Sequence, residues 1–264
     1  FIRRSGILDN GEYFDFVGDE INAVMRYKGR FIQSVAESSF DAWIKLYRPD
    51  ENSLNSGISY YTKGSLIALM LNIEIIKNTN AERSLDDAVK MLYDDFRKDE
   101  STGFSEERIK DICETVSGKN LDGFWNKYIT GTEDLPLNTY LGYCGAELIN
   151  ENDSLKSSLD IESANIKGKL IIRKVHAGGS AYESGVNAND ELIAIEDIRV
   201  DPDSVKTILD NYSTGQEIKI LVSRSGFLKE IFVNLIKPLP KYKIREIESK
   251  RVDQVRFFEK WING

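Results

Sequence analysis

The sequence predicts an α+β protein with helices first, a small mostly-β domain second and a helical tail last. Apolar residues recur at three- and four-residue spacing over residues 1 to 136, which is the period of amphipathic helices. Between 137 and 240, short β-branched runs alternate with Gly, Asn and Asp, as in strands joined by turns. Residues 241–264 return to a helical period. At 264 residues, the chain has room for two modest domains.

The composition describes a globular protein and excludes some partners. Hydrophobic residues make up 41% of the chain and charged residues 30%. The net charge of -8 and the pI near 5.0 argue against a nucleic-acid-binding surface. No apolar run reaches the length of a membrane span, so we expect neither nucleic acid nor a membrane as a partner. No signal-peptide pattern opens the sequence, and the compartment stays open, with the cytoplasm slightly favoured.

The first 136 residues are predicted to be nearly all helical. One helix covers Asp9–Met25, and an extended link follows over Phe31–Ala36. The next helix begins at Ser38 or Ser39 and is ended by Pro49. Four apolar residues share its inner face: Phe40, Trp43, Ile44 and Tyr47. Further helices are predicted over residues 59–76, 84–96, 105–118 and 121–129.

The helix over residues 59–76 is the most apolar, and the rest of the helical region is predicted to pack around it. It opens with the run Ser59-Tyr60-Tyr61-Thr62-Lys63-Gly64. The two tyrosines allow two interpretations. Residue type favours two core rings whose hydroxyls merely find partners. Alternatively, the start of the helix aims a phenol at a functional site.

This segment resembles the matching segment of the glycyl aminopeptidase family of zinc metallopeptidases, which are gluzincins. The resemblance runs from Ser34–Trp43 and Tyr47–Asn52 through to Gly131–Pro136. A similar Tyr-x-Lys-Gly occurs in the aminopeptidase N group, and that motif alone would be weak. The resemblance implies that residues 1–136 form the all-helical C-terminal part of a thermolysin-like catalytic domain.

The resemblance also implies which residues act. Tyr61 matches the tyrosine before x-Lys-Gly and would donate its hydroxyl to the oxyanion of the reaction. Tyr60 is the alternative, because the motif doubles the tyrosine. Lys63 and Gly64 are interpreted as structural, with Gly64 permitting close helix packing.

Two acidic residues lie near the start of the helix predicted from Ser38 or Ser39, and their role has two interpretations. Glu37 and Asp41 can simply favour the helix macrodipole there. Alternatively, one of these carboxylates meets the amino group of a peptide substrate.

The sequence lacks the zinc-binding residues of such an enzyme. A gluzincin binds zinc through HExxH and a downstream Glu. This chain has one histidine, His176, and no HExxH. By the resemblance, zinc is expected in the full-length protein and none in this chain alone, which is predicted to be inactive. The expected partners are peptide or protein substrates and the missing N-terminal segment of the same protein, upstream of Phe1.

The β region resembles a bacterial PDZ domain of the HtrA protease type. Strands are predicted at Leu170–Val175 and Asp190–Ile195, with a third beginning at Val200. A hairpin is predicted around Ser225-Gly226. The resemblance implies a peptide-binding groove between the strand after Gly142 and a helix starting at Asp203. The groove residues would be Tyr140, Leu141, Gly142, Tyr143, Val205 and Leu209.

The groove has an alternative interpretation, in which the catalytic domain closes it and the module is a structural appendage. His176 lies at a predicted strand end, where a solvent-facing turn histidine is expected. In the tail, Ser249 can cap a helix that packs back on one of the domains.

Two functions follow from these patterns. The leading hypothesis is the C-terminal portion of a zinc aminopeptidase that removes small N-terminal residues, glycine or alanine, with a PDZ domain for peptide binding or substrate presentation. The alternative is a non-catalytic PDZ scaffold that carries a dead peptidase remnant; the lone histidine would fit it.

Overall fold

The computed structural model describes residues 2–101 and 103–264, and it mixes helices and sheets as the α+β class predicts. The helices are α1 (Asn10–Met25), α2 (Val35–Phe40), α3 (Ser53–Ser56), α4 (Tyr60–Asn78), α5 (Leu85–Lys98), α6 (Glu106–Ser117), α7 (Asp122–Tyr128), α8 (Leu137–Tyr143), α9 (Ser180–Glu183), α10 (Ser204–Leu209) and α11 (Val252–Asn263). The strands are β1 (Ala146–Asn150), β2 (Ile161–Ile166), β3 (Lys169–Val175), β4 (Glu191–Ile195), β5 (Ile198–Arg199), β6 (Glu217–Arg224), β7 (Phe227–Asn234) and β8 (Tyr242–Glu246). Short 3-10 helices lie at Lys28–Phe31 and Glu151–Ser154. Among the described residues, no helix combines the length and apolarity needed to cross a membrane.

Helix α4 is the centre of the helical unit, as predicted. It contacts α1, α2, α5, α6, α8 and α11. Met70, Ile73 and Ile76 on this helix are completely buried. Burial of each such side chain stabilises the fold by roughly 1.5–3 kcal/mol, so packing against α4 stabilises the surrounding helices.

The helical core continues past the boundary that the sequence predicted after Pro136. Helix α8, the antiparallel pair β1–β8 and helix α11 all contribute to it, for example through Leu141, Ala146 and Ile244. The predicted helical tail from residue 241 therefore begins with a strand, and α11 starts after Arg251 instead of a Ser249 cap. The β-type residues near 146 and 244 pair with each other instead of joining the larger sheet.

The end of the chain is fastened to its beginning. Phe14 of α1 stacks on Trp261 of α11 with ring centroids 5.7 Å apart. Asn22 donates to the Tyr242 carbonyl at 2.8 Å and accepts from the Tyr242 N–H at 2.7 Å. The predicted packing of the terminal helix against a domain is confirmed, and that domain is the helical one.

The second unit, which we call the sheet unit, spans Leu159 to Leu235 and has its own core. Its strands run antiparallel in the order β2-β3-β4-β6-β7, with β5 paired to β4. The hairpin predicted at Ser225-Gly226 is confirmed, since Arg224 pairs with Phe227. Ser225 and Gly226 have positive φ angles of 52° and 87°. Positive φ at both positions gives a two-residue turn whose twist matches that of the paired strands.

The helix predicted from Ser38 to Pro49 is wrong. Helix α2 begins earlier, because Ser34 and Glu37 form a capping box in which both the N–H and the hydroxyl of Ser34 donate to Glu37. It ends at Phe40, and residues 41–47 form turns. Phe40, Trp43 and Ile44, predicted to be core, are 90%, 81% and 74% exposed.

His176 is buried between the two units, which corrects the prediction of a solvent-facing histidine. Only 3% of it is exposed, and its ring stacks on Tyr27 from the helical unit at 6.2 Å. Glu162 Oε1 lies 3.2 Å from Nε2, yet neither ring nitrogen makes a hydrogen bond within the described residues. Burial lowers the pKa of His176, an effect that the Glu162 carboxylate opposes.

This burial predicts a pH dependence of stability. Because the folded pKa of His176 lies below its unfolded value of about 6.5, the unfolded chain takes up the proton first and stability is lost as the pH falls below that value. We expect the unfolding free energy to drop between about pH 7.5 and 5.5 in urea titrations, by up to about 1.4 kcal/mol per unit of pKa difference.

His176→Gln is the comparison, since the amide does not titrate. Charged and titratable neighbours in this interface are Arg26, Asp160, Glu162 and Lys174. Burial raises the pKa of Asp160, so this carboxyl stabilises the folded chain at more acidic pH and opposes the His176 slope there. An identical slope in the variant and the original protein would contradict the assignment.

Candidate active site

The first turn of α4 carries the predicted tyrosines. Ser59 occupies the N-cap and its hydroxyl accepts the Thr62 N–H at 3.3 Å. Tyr61 is 58% exposed and Tyr60 is half-buried. The interpretation of both rings as core is therefore wrong for Tyr61, whose phenol is open to a ligand.

Tyr47 joins these residues to form a cluster of three phenols. Its hydroxyl lies 2.8 Å from the Tyr61 hydroxyl and 3.5 Å from that of Tyr60. The rings of Tyr60 and Tyr61 are 4.0 Å apart between centroids. This role of Tyr47 was not predicted, because helical spacing placed the residue on a face shared with Phe40, Trp43 and Ile44. The short distance between Tyr47 and the motif along the chain is the only sequence signal that could have suggested it.

The hydrogen bonds divide the roles of the phenols. Bonds from Tyr47 and then Tyr60 to the Tyr61 oxygen stabilise its phenolate and lower the pKa of Tyr61. The bonds with Tyr47 and Tyr61 keep Tyr60 protonated and raise the pKa of Tyr60. The position of Tyr61 at the positive end of a 19-residue helix favours the same ionisation. Tyr61 is thus the better proton and hydrogen-bond donor.

The buried side chain of Lys63 holds the first turn of α4 against Arg30. It is 1% exposed, and its Nζ donates to the Arg30 carbonyl at 3.1 Å. Arg30 in turn binds the Asp134 carboxylate at 2.9 Å and the Met25 carbonyl at 2.7 Å. Burial lowers the pKa of Lys63, and Asp134 opposes that shift. These contacts agree with the structural role expected for Lys63.

The expected packing role of Gly64 is wrong. A Cβ placed there would meet nothing within 4 Å among the described residues. The close approach lies elsewhere: a Cβ on Gly29 would stand 2.0 Å from the Gly57 carbonyl oxygen. The segment of Gly29 and Arg30, whose Arg30 carbonyl accepts from Lys63, therefore touches the loop before α4 backbone to backbone.

The two acidic residues considered as substrate contacts have local partners. Glu37 is held in the α2 capping box, and bonds from Ser34 lower its pKa. Asp41 forms an ion pair with Lys45. Their geometry fits the helix-start interpretation.

A cleft of about 1100 Å³ opens next to the start of α4; it is lined by residues adjacent in sequence to the three phenols, but not by the phenols themselves. One wall is the segment from Ile44 to Ser59, and the other is strand β3 of the sheet unit with Arg173 and Lys174. Ser59, the N-cap of α4, belongs to the cleft wall. A ligand in this cleft would therefore lie next to the first turn of α4.

The predicted peptide groove of the β region is not formed. Tyr140, Leu141, Gly142 and Tyr143 lie in helix α8 of the helical unit, where Leu141 is fully buried. Leu209 belongs to the separate core of the sheet unit, on whose edge Val205 is packed.

The segment of Lys156 and Ser157 forms hydrogen bonds with the end of α10 and the loop after it. The Ser157 hydroxyl donates to the Leu209 carbonyl at 2.8 Å, and Thr214 donates to the Lys156 carbonyl at 2.9 Å. The strand predicted after Gly142, as one side of the groove, is β1, and it pairs with β8.

The described residues do not fit a zinc centre. Residues 2–101 and 103–264 contain no group of three or more His, Cys, Asp or Glu side chains arranged to hold a metal. His176 is enclosed between the units, and Cys113 and Cys144 are buried thiols. Burial raises the pKa of Cys113 to about 11 and that of Cys144 to about 12, so neither thiol ionises readily to become a ligand.

The chain is similar to known proteins in sequence and in structure. Residues 1–67, which include the Tyr61 turn, match the family model of the M61 glycyl aminopeptidase. An aminopeptidase N family protein from Idiomarina loihiensis is similar in structure, with a TM-score of 0.89 and 27% identity over 99% of this chain. This chain covers 46% of that protein. No curated protein matches the chain.

Two further likenesses are weak. The HtrA-type protease AlgW with a decapeptide has 16% identity and a TM-score of 0.29, covering 32% of this chain and 30% of its own. A photosystem II D1 C-terminal processing protease has 10% identity and a TM-score of 0.30, covering 66% and 45%. At these TM-scores, neither likeness bears on the fold or the function of this chain.

The backbone contact between Gly29 and Gly57 predicts the effect of two alanines. Gly29→Ala forces a Cβ into the Gly57 carbonyl, and we expect a loss of about 1–3 kcal/mol in unfolding free energy, measured with urea. Gly64→Ala is the matched control, since its Cβ meets open space and alanine favours a helix interior by about 1 kcal/mol. Equal effects of both changes would show that the contact is not tight.

The phenol cluster predicts a shift in one titration. In Tyr47→Phe, the Tyr61 phenolate loses its strongest donor, so the pKa of Tyr61 should rise towards its usual value near 10. The measurement is ¹³Cζ NMR of labelled tyrosines, with the Tyr61 signal assigned through Tyr61→Phe. Tyr93→Phe, at an exposed site on α5, should leave it unmoved. An unchanged Tyr61 titration in Tyr47→Phe would refute the hydrogen bond.

Proposed function

We propose that this chain is the C-terminal portion of an M61 peptidase and that it supplies the tyrosine side of the active site of a zinc-dependent aminopeptidase; the family match over residues 1–67 and the structural likeness support this. The substrates would be peptides with a small N-terminal residue, glycine or alanine. The helical unit would be the C-terminal part of a thermolysin-like catalytic domain.

One observation supports this proposal most strongly: the phenol of Tyr61 is exposed, and hydrogen bonds from its neighbours lower the pKa of Tyr61. Peptide hydrolysis builds negative charge on the carbonyl oxygen of the scissile bond. A fixed donor at that oxygen is typically worth about 3 kcal/mol of transition-state stabilisation. Tyr47 and the α4 N-terminus hold and polarise the Tyr61 hydroxyl for this task.

Zinc belongs to the proposal as the cofactor of the full-length protein, where it would activate the attacking water. The described residues do not fit a site for it, so its ligands would lie outside them. The part assigned to this chain is to donate a hydrogen bond, orient the substrate and help to exclude water. The chain alone would not hydrolyse glycyl-anilide, whereas the full-length protein would.

Tyr61→Phe in the full-length protein tests the proposal. We expect kcat for glycyl-anilide hydrolysis to fall by about 10²–10³-fold, because only the charge that develops in the transition state needs the donor. KM and the zinc content should stay near their original values. Both are measured on the same preparation, by steady-state kinetics and metal analysis.

Two variants decide between the phenols. Tyr93→Phe removes an exposed hydroxyl from α5 and should leave kcat unchanged. Tyr60→Phe should have a smaller effect than Tyr61→Phe, since the Tyr60 phenol is the weaker donor. Full turnover by Tyr61→Phe would remove Tyr61 from the mechanism, and a large loss only in Tyr60→Phe would transfer the role to Tyr60.

A further inference from the structure

The cleft beside α4 carries positive charge in an acidic protein. The whole chain has a net charge of -8, yet four basic and two acidic side chains line the cleft. Opposite walls provide them: Lys45, Arg48, Asp50 and Glu51 come from the helical unit, and Arg173 and Lys174 come from strand β3. This local excess favours an anionic ligand.

Most of these charges already have partners. Lys45 pairs with Asp41, and Lys174 pairs with Glu162 at 2.9 Å. Asp50 accepts bonds from its own loop, from the N–H of Asn52 and the hydroxyl of Ser53. Glu51 accepts from Asn189 of the sheet unit at 3.0 Å.

Arg48 and Arg173 remain, one on each wall. Both are exposed, and among the described residues neither forms an ion pair. Guanidinium groups bind carboxylates through two parallel hydrogen bonds, which makes them suited to a planar anion. Two such groups facing one cleft provide the charge for a single carboxylate.

The cleft also has an unsatisfied donor in its lining. Gln33 is 6% exposed, and its Oε1 accepts the Ile58 N–H at 3.1 Å, which fixes the orientation of the amide. Its Nε2 is buried and has no acceptor among the described residues. A buried amide donor without a partner costs about 1–3 kcal/mol, so an incoming carbonyl or carboxylate oxygen would be favoured.

The two walls are held in register before any ligand binds. The Asn55 carboxamide oxygen accepts the Ala177 N–H at 3.2 Å, and its nitrogen donates to the Val175 carbonyl at 3.5 Å. With the Glu51–Asn189 bond, these contacts connect the loop before α4 to the end of β3. A preformed cleft of about 1100 Å³ is large enough for a short peptide.

We propose that this cleft binds the carboxyl-terminal end of short peptides, with Arg48 and Arg173 pairing the terminal carboxylate. The ligand class is a peptide acid whose backbone lies along the apolar wall formed by Leu54 and Ile58. Calling this peptide a substrate rests on the proposed aminopeptidase function. On that basis, the amino end lies at Tyr61, and the enzyme favours peptides short enough to span from that residue to the two arginines.

The test is direct binding, which needs no turnover. N-acetyl-tetraglycine and its C-terminal amide are titrated into the full-length protein by isothermal calorimetry; the acetyl group removes the amino end as a contact. The acid should bind at least about 10-fold more tightly than the amide, because the amide lacks the charge for the arginines. Arg48→Gln/Arg173→Gln should abolish this preference.

Arg97→Gln is the matched control, since Arg97 is exposed at the end of α5 outside the cleft, and it should keep the preference. Thermal melting confirms that the variants are folded. Equal binding of acid and amide, or a preference that survives the double variant, would overturn the proposal. Inorganic phosphate that competes more strongly than the peptide acid would also overturn it and assign the cleft to a phosphate-bearing ligand.

The outcomes separate this proposal from the proposed activity. If full-length Tyr61→Phe retains turnover while the acid preference holds, the cleft is a peptide-carboxylate site and the tyrosine assignment fails alone. If turnover depends on Tyr61 and the acid preference is absent, the reverse is true.

Discussion

The buried ammonium group of Lys63 is the constraint on which the rest of this structure depends. A charged amine with almost no exposure is tolerated only where an acceptor is held in place for it, and removing that acceptor costs several kcal/mol. The acceptor is the Arg30 carbonyl, and Arg30 is itself bound to Asp134 and to the end of α1. The start of α4 is thereby fixed against two segments that are distant in sequence.

This arrangement explains why Tyr61 can be exposed and still ordered. Lys63 lies two residues after Tyr61 in the same turn, on the side that faces the core. Because Lys63 points into the core, Tyr61 lies on the solvent side of the helix, where the Tyr47 hydroxyl forms a hydrogen bond with the Tyr61 hydroxyl. The contact of Gly29 with Gly57 brings in the loop that ends at Ser59, so one short segment caps α4 and lines the cleft. The exposure of the Tyr61 phenol and the position of the cleft wall therefore result from the same packing.

Local sequence patterns predicted the elements that are determined locally. The buried stripe of α4 follows from its spacing, and the Ser225-Gly226 hairpin follows from two residues suited to positive φ. A motif that resembles a known family also singled out Tyr61, and the structure leaves this side chain exposed at the first turn of α4.

The errors share a different cause. Periodicity shows that Phe40, Trp43 and Ile44 are spaced for one face, but it does not show what covers that face, and here they are exposed. The helical core continues past Pro136 because β1 pairs with β8, and the first pair, Ala146 with Glu246, joins residues 100 positions apart in the sequence. Pairing over such a separation leaves no local sequence signal. Tyr47 and Gln33 acquire their roles only through contacts across loops.

The interface between the units links the site to the state of the whole chain. The walls of the cleft belong to different units, so its width depends on the Asn55 and Glu51 bonds that join them. His176 lies in the same interface against Tyr27, which also lines the cleft. A neutral imidazole suits that enclosed position, whereas a charged one would have to be paired or hydrated. The neutral state of His176 is therefore the one that suits the packing of the two units, whose walls carry the two arginines.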